Sequence, residues 1–411
     1  MPRVLRIINR FNLGGPTFNA AYLTKYLEPD FETLLIGGLK DAKEDSSEFI
    51  IKGLDINHLI IPEMRRAVDF QNDRKAFNSI KAIIREFKPD IVHTHASKAG
   101  ALGRMAAKQL KVPVTVHTFH GHVFHSYFGM IKTNIYKTVE RYLASSTTKI
   151  IAISNSQKRE LIEDHRICED DKIEVIPLGF DLAKFNENQP HKRETFRNYY
   201  GVADNEIAIG IIGRIAPIKN HHLFIESLVR VISKTDKKIR VFIIGDGDMK
   251  HDIASQLKLI GMSYTDSDYE SSFDTNLNSG NTVTNSTNNS SFTFTSWIRR
   301  IDYAYAGLDI LALTSKNEGT PVSLIEAQAA SKAIVSTDVG GVAEVLDDQK
   351  SGLLCKSNSK AISEAMLTLI NDSDLRESMG KHGLHKAHSQ YSYTRLVREM
   401  NSLYCNLLNQ V

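Results

Sequence analysis

The chain has 411 residues, 42% of them hydrophobic and 24% charged, with a formal net charge of +3 at pH 7. That describes a soluble globular protein with room for two domains of ordinary size, and no run approaches the ~18 apolar residues of a membrane span. Cys168, Cys355 and Cys405 are far apart and lack ligand spacing, so reduced structural thiols in a cytoplasmic protein are expected.

The N-terminal MPRVLRIINRF holds no apolar segment of signal-peptide length and reads as a first strand, Val4 to Ile8. Gly14-Gly15-Pro16 is expected to turn the chain, with a helix starting at Thr17 or Asn19. This glycine loop lets backbone approach a ligand but lacks the G-x-G-x-x-G spacing of a dinucleotide site. Strands follow at Glu32 to Ile36 and near His58 to Ile61. A helix is expected over Phe70 to Phe87, with Phe77, Ile80, Ile83 and Ile84 on one face. PDIVHTH is another strand and KAGALGRMAAKQL a basic helix, and this alternation makes a doubly wound parallel sheet.

In VPVTVHTFHGHVFHSYF a strand ends near Thr118, and His117, His120, His122 and His125 crowd its carboxyl end. Without a cysteine partner or an HExxH arrangement, a metal site is not expected there. One histidine contacting substrate, with the others packed or solvated, fits better. Phe119, Phe124, Tyr127 and Phe128 suggest an aromatic loop over a crevice or at a membrane, or simply one tucked onto the domain. Residues 91–160 hold ten Lys and Arg against two acids, Glu140 and Glu160, a local excess of +8. That excess suits an anionic membrane surface or an anionic acceptor, or is a solvated helical face; no motif for nucleic acid accompanies it.

KIIAIS and KIEVIPLGFD give two more strands, and the polar NENQPHKRETFRN marks the approach to a second domain. AIGIIGRIAPIKNHHLFIESL restarts the pattern, with a helix beginning near Lys219-Asn220. Arg214 and Lys219 flank the carboxyl end of its strand, where two cations can neutralise a diphosphate. RVFIIGDGDMK is the next strand–helix unit. Residues 262–291, dominated by Ser, Thr, Asn and Asp, are expected to form a flexible insertion remote from the chemistry. Its D-x-D, Asp266 to Asp268, is discounted as a metal motif because that motif needs acids fixed at a strand end.

From Gly307 to Leu346 the pattern is strand, polar loop, helix, strand and glycine turn, a parallel βαβ unit whose ligand crevice lies beyond the strands' carboxyl ends. Thr320 is the expected N-cap and Pro321 the first helical residue. Glu318 lies in the loop and Glu326 about a turn and a half into the helix. Acids beside a phosphate-ready helix start suit a nucleotide-sugar; alone, the spacing equally describes a capped surface helix with two solvated acids. The chain closes with a strand in GLLCKS, helices in AISEAMLTLI and DSDLRESMGKHGLHKAH, and an amphipathic helix capped by Ser392.

In combination, the GG loop, KPDIVHTH, TFHGH, IIAISNS, VIPLGFD, GRIAPIKN, GDGDMK and the Glu318/Glu326 pair followed by VGG resemble the retaining glycosyltransferases of family 4, over the whole chain apart from the insertion. The resemblance implies a GT-B fold, two Rossmann-like domains facing across a cleft. They would cover residues 1–185 and 186–390, with a C-terminal helix in 391–411 crossing back to the first. It implies a nucleotide-sugar donor, UDP-sugar favoured, as co-substrate, a polysaccharide or lipid-linked acceptor, no catalytic metal and no other cofactor. By it, Arg214 and Lys219 bind the donor diphosphate, Glu318 the transferred sugar and Glu326 the ribose. Backbone at Gly319, Thr320, Pro321 and Val322 holds sugar and phosphate, Ile298 meets the base, Gly15 approaches the phosphate, and His120 contacts the transferred sugar. Two departures stand out: EGTP replaces the family's EGFG and stiffens the loop, and LGFD replaces its usual signature around Gly179. No carboxylate is placed as the nucleophile of a double displacement, so front-face attack is expected. Two other readings are a GT-B nucleotide-sugar 2-epimerase and a non-catalytic nucleotide-sugar-binding subunit.

Overall fold

The computed structural model describes all residues except 13–14, 41–46, 66, 121–129 and 267–291, with the side chains of 48–49 and 130–132 also left aside. The chain forms two compact units, Met1–Phe180 with Gln390–Val411, and Asp181–Ser389. The change of unit thus falls just ahead of the polar stretch from which 185–186 was expected.

The first unit holds β1 (Arg3–Arg10), β2 (Glu32–Gly38), β3 (His58–Ile60), β4 (Ile91–His95), β5 (Val114–Phe119), β6 (Lys149–Ala152) and β7 (Ile173–Val175), in the order β3-β2-β1-β4-β5-β6-β7. Neighbours run parallel throughout. Near-continuous aliphatic strands are what a sheet covered on both faces requires. The helix Phe70–Phe87 lies where its periodicity puts it, capped by Asp69, whose carboxylate accepts from the Gln71 and Asn72 amides. The first helix, Gly15–Tyr26, starts earlier than expected, because Gly15 and Pro16 belong to its first turn, where proline's missing N–H is harmless. Gly14 lies outside the described residues.

The terminal helix Tyr393–Leu408 belongs to this unit, and Ser392 caps it by accepting from the Arg395 amide. It buries Leu396, Met400, Leu403, Tyr404 and Leu407 against Val4, Leu23, Phe31, Ile91 and Val114. Gly179 makes that docking possible: a Cβ there would sit 2.7 Å from Leu396 Cβ and 2.8 Å from Tyr393 Cα. The glycine of LGFD is therefore needed for packing inside this unit.

The second unit holds β8 (Glu206–Ile212), β9 (Lys238–Ile244), β10 (Tyr264–Asp266), β11 (Phe292–Ser296), β12 (Ile310–Leu313), β13 (Ala333–Thr337) and β14 (Leu353–Cys355), ordered β10-β11-β9-β8-β12-β13-β14. All are again parallel. At the amino edge Asp309 accepts from Arg193 (2.7 Å), Arg197 (3.2 Å) and the Ala208 amide (2.8 Å). This pins β12 beside β8 and brings their carboxyl ends level.

The expected flexible insertion starts too early at 262. Met262 packs on the core, and Tyr264–Asp266 form the edge strand β10 on β11, with Asp266 paired to Lys250 at 2.6 Å. The chain therefore leaves β10 at the carboxyl edge of the sheet, the edge of the ligand crevice, and not remote from it as expected. Residues 267–291, with Asp268 of the D-x-D, lie outside the described residues.

Candidate active site

The second unit gathers most of the expected donor-binding residues at the carboxyl ends of β8, β11 and β12. After β8 the chain makes a short 3-10 turn, Pro217–Lys219, and the following helix begins at His221. That turn is held from β12: Thr314 Oγ1 donates to the carbonyls of Lys219 (3.2 Å) and Asn220 (3.1 Å), and the Lys316 amide to Ile218 O (2.8 Å).

Lys219 Nζ thereby reaches Glu318 Oε1 at 2.6 Å, and Ser315 Oγ donates to the same oxygen at 2.6 Å. Lys219 and Glu318 are 23% and 12% exposed, shielded enough for the pair to be stronger than a surface ion pair yet open to a ligand. Glu318 Oε2 meets no donor among the described residues. Arg214 is different: among the described residues its guanidinium pairs only with Asp248, at 3.2 Å, and both side chains are largely exposed. The structure brings Lys219 and Glu318 together, and leaves Arg214 close in the chain but loosely held.

The loop carrying Glu318 is fixed by the glycine turn after β13. The Gly341 amide donates to Glu318 O at 2.9 Å. Gly340 has φ +52°, and a Cβ there would lie 2.1 Å from Glu318 O, so only glycine fits. Beyond Gly319 and Thr320 the helix runs Val322–Ala329, with Pro321, not Thr320, in the cap position and no side chain capping it. Proline's fixed φ of about −65° suits a residue that sits here at −73° in extended backbone. The uncapped first amides, from Val322 on, and the positive end of the helix are available to an anion.

Glu326 accepts from Tyr305 Oη at 2.9 Å, and that hydroxyl is also 3.1 Å from Ser323 O. Burial raises the Glu326 carboxyl above its usual range, opposed by the Tyr305 hydrogen bond and by Lys184. Burial and the adjacent carboxylate push the Tyr305 phenol well above its ordinary value, so it stays a donor. Ile298 is buried just past β11, and beside it Trp297, the chain's single tryptophan, is 48% exposed.

In the first unit His120 follows β5 directly, partly buried. Its Nε2 lies 2.8 Å from His95 Nδ1, and the rings are 5.0 Å apart and 29° from parallel. His117 is fully buried, its Nδ1 2.8 Å from Thr94 Oγ1. The crowd of histidines thus separates: His117 is core, His120 joins His95, and His122, His125 and the aromatics Phe124, Tyr127 and Phe128 lie outside the described residues. Among the described residues no group of three His, Cys, Asp or Glu could hold a metal ion.

His93 and His95, at the end of β4, form the other half of this arrangement. Arg6 donates to Tyr404 Oη (3.1 Å), and the same hydroxyl lies 2.5 Å from His93 Nδ1. His93 Nε2 lies 2.7 Å from Thr118 Oγ1, so both of its ring nitrogens have hydroxyl partners. Burial, aided by Arg6, holds His93 well below its usual value, and burial alone pushes His120 down to about 4. A Cβ on Gly15 would meet nothing within 4 Å, so a glycine there answers no need of the described residues.

Sequence reasoning missed His95, Ser315 and Tyr305. A His-x-His ending a strand that neighbours TFHGH was a usable signal for His95. Ser315 and Tyr305 are supporting groups with no signature of their own.

Two Rossmann-like units of parallel sheet, the second with cation, acid and uncapped helix start at one edge, define a GT-B protein. The chain matches the family models for Glycosyltransferase Family 4 over residues 20–184 and for Glycosyl transferases group 1 over residues 206–372. It is 26% identical over 373 residues to an Escherichia coli UDP-Gal:alpha-D-GlcNAc-diphosphoundecaprenol alpha-1,3-galactosyltransferase, covering 90% of this chain and 87% of the relative. Among solved structures, a glycosyltransferase from Rickettsia africae superposes with TM-score 0.76 at 20% identity, covering 100% of this chain and 99% of that one. Anabaena HepE in complex with UDP superposes with TM-score 0.74 at 17% identity, covering 98% and 100%. The chain belongs to glycosyltransferase family 4, and is a glycosyltransferase with the GT-B fold.

Proposed function

We propose that this enzyme moves a hexose from a UDP-sugar to a polysaccharide or lipid-linked acceptor, with retained anomeric configuration and without a catalytic metal. The observation that carries the donor half is the Lys219–Glu318–Ser315 cluster beside an uncapped helix start. Breaking the bond between the sugar's anomeric carbon and the phosphate oxygen puts positive charge on the sugar and negative charge on UDP. Lys219, the exposed Arg214 and the amides at Gly319 to Val322 meet the negative charge, each donor contributing about 3 kcal/mol to the barrier reduction. Glu318 Oε2 accepts from sugar hydroxyls, Glu326 from the ribose, and backbone at Ile298 meets the base.

With Oε1 held by Lys219 and Ser315, Glu318 is poorly placed to act as a nucleophile. Attack therefore comes from the face the leaving group departs from, and the acceptor's proton passes to a phosphate oxygen of UDP. In the first unit His120 is assigned to a hydroxyl of the transferred sugar and backbone at Gly15 to the donor phosphate. UDP and a lipid-linked acceptor are supported by the activity of the Escherichia coli relative, and UDP also by the ligand of the Anabaena structure.

Contact with an anionic membrane surface belongs to the same reading. The helix Met130–Ser145 exposes Ile135, Val139 and Tyr142, spaced four and three apart on one face. The basic excess beside it is smaller than the sequence count, since Asp73 and Asp170, outside that stretch, engage Lys98 and Lys158. Among the described residues no helix is long and apolar enough to cross a membrane.

The test is a thermal-shift screen against UDP-, GDP- and ADP-sugars with and without chelator. A ligand at 100 times its dissociation constant adds about 2.7 kcal/mol of stability. A shift specific to UDP-sugars and indifferent to chelator is expected; binding that requires a divalent ion counts against the metal-free route. Isomerised donor appearing without acceptor would instead select an epimerase.

A further inference from the structure

We propose that His95 is a positioning residue for His120, holding its ring in one orientation and one tautomer during sugar transfer. This rests on the assignment of His120 to the transferred sugar. β4 and β5 are adjacent and parallel, with His95 opposite Thr118 in register, so His95 and His120 emerge together at the sheet's carboxyl edge. The 2.8 Å contact between His95 Nδ1 and His120 Nε2 joins two rings whose remaining nitrogens, His95 Nε2 and His120 Nδ1, are buried without a partner among the described residues. Buried unpaired ring nitrogens are costly, and an unpaired one on a site residue marks a place for a ligand atom.

Both rings are neutral at pH 7, because burial holds His95 well below its usual value and His120 at about 4. A hydrogen bond between two neutral imidazoles needs one donor and one acceptor. If His95 donates from Nδ1, His120 must carry its proton on Nδ1. If His120 donates from Nε2, its Nδ1 is a bare acceptor. Either way His95 decides what His120 Nδ1 offers to a sugar hydroxyl.

The backbone supports the same conclusion. Ala96, directly after His95, has φ +66° and ψ 164°, a region that residues other than glycine avoid. Such strain persists only where surrounding contacts over-determine a position, and it clusters at functional sites. His93 completes the clamp, its ring 4.2 Å from that of His95 and itself fixed by Tyr404 and Thr118.

The experiment uses the full chain with 15N-labelled histidine, His120 being assigned by comparison with His120→Asn. Ring nitrogen shifts of His120 in the wild type should show a single tautomer at pH 7. In His95→Phe they should average between tautomers, and kcat should fall roughly 10- to 100-fold while the donor KM stays within about twofold. His95→Gln can still pair with Nε2 and should restore part of kcat. Averaged tautomers in the wild type, or an unchanged kcat in His95→Phe, would overturn the proposal. If His95→Phe does not fold, the wild-type spectrum and His95→Gln decide it. Loss of kcat in His120→Asn with none in His95→Phe removes only this inference, whereas an unaffected His120→Asn removes the role given to His120 itself.

Discussion

At the carboxyl edge of its sheet, the first unit presents histidines that burial keeps neutral, braced by Tyr404 and by the strained Ala96. At the corresponding edge, the second unit presents Lys219, Glu318 and Arg214, charged and open to ligand. The two sheets share a six-strand order, to which the first adds β7 at one edge and the second β10 at the other. Backbone architecture therefore makes the crevice, while the residues ending each strand decide what it can hold. Neutral donors and acceptors suit sugar hydroxyls; cations and helix amides suit a diphosphate.

The largest expected effect falls on the charged side. Lys219→Ala should cost roughly 100- to 1,000-fold in kcat, measured as UDP release, with circular dichroism unchanged. A near-normal rate would mean that the charged edge of the second unit does not carry the chemistry.

Acidification should break the comparison the other way. The unfolded chain binds protons on histidine below about pH 6.5, whereas folded His120 does so only near 4. The unfolded state therefore holds more protons in that window, so stability is complete above 6.5 and is lost as pH falls. At pH 5 His120 alone should cost about 2 kcal/mol. His93, His95 and His117, all held well below the usual value mainly by burial, add to the loss in the first unit, while His221, pushed to about 4, is the counterpart in the second. Hydrogen exchange at pH 7 and 5 should show β4 and β5 losing more protection than β8 and β12. Equal losses would remove the asymmetry.

Glycines sharpen it further. Gly340→Ala forces a Cβ onto Glu318 O at positive φ, and should destabilise by about 2 kcal/mol in denaturant melts and weaken donor binding. A smaller effect, about 1 kcal/mol or roughly fivefold in donor affinity, is expected for Tyr305→Phe, which leaves Glu326 without its buried donor. Gly15→Ala meets only open space and should leave the melting temperature unchanged, so any rise in donor KM would report a ligand and not the fold.

Local features were legible in the sequence because local physics fixes them. Short apolar runs located strands and a period-3.6 apolar pattern the helix Phe70–Phe87, proline and glycine marked the turns of the 307–346 stretch, and Ser392 was readable as a cap because capping depends only on the next three residues. The pairing of Glu318 with Glu326 across a helix start was visible for the same reason. Tertiary structure alone decided which distant residues meet. Lys219 and Glu318 lie 99 positions apart and are joined because β8 and β12 are neighbours. His95 reaches His120 because β4 lies beside β5, Gly179 must be glycine because the last helix of the chain returns to it, and β10 exists because an open sheet edge accepts three residues of an otherwise polar stretch. Sequence carries the local preferences of backbone and side chain; strand order, set by burying both faces of each sheet at once, turns them into a site.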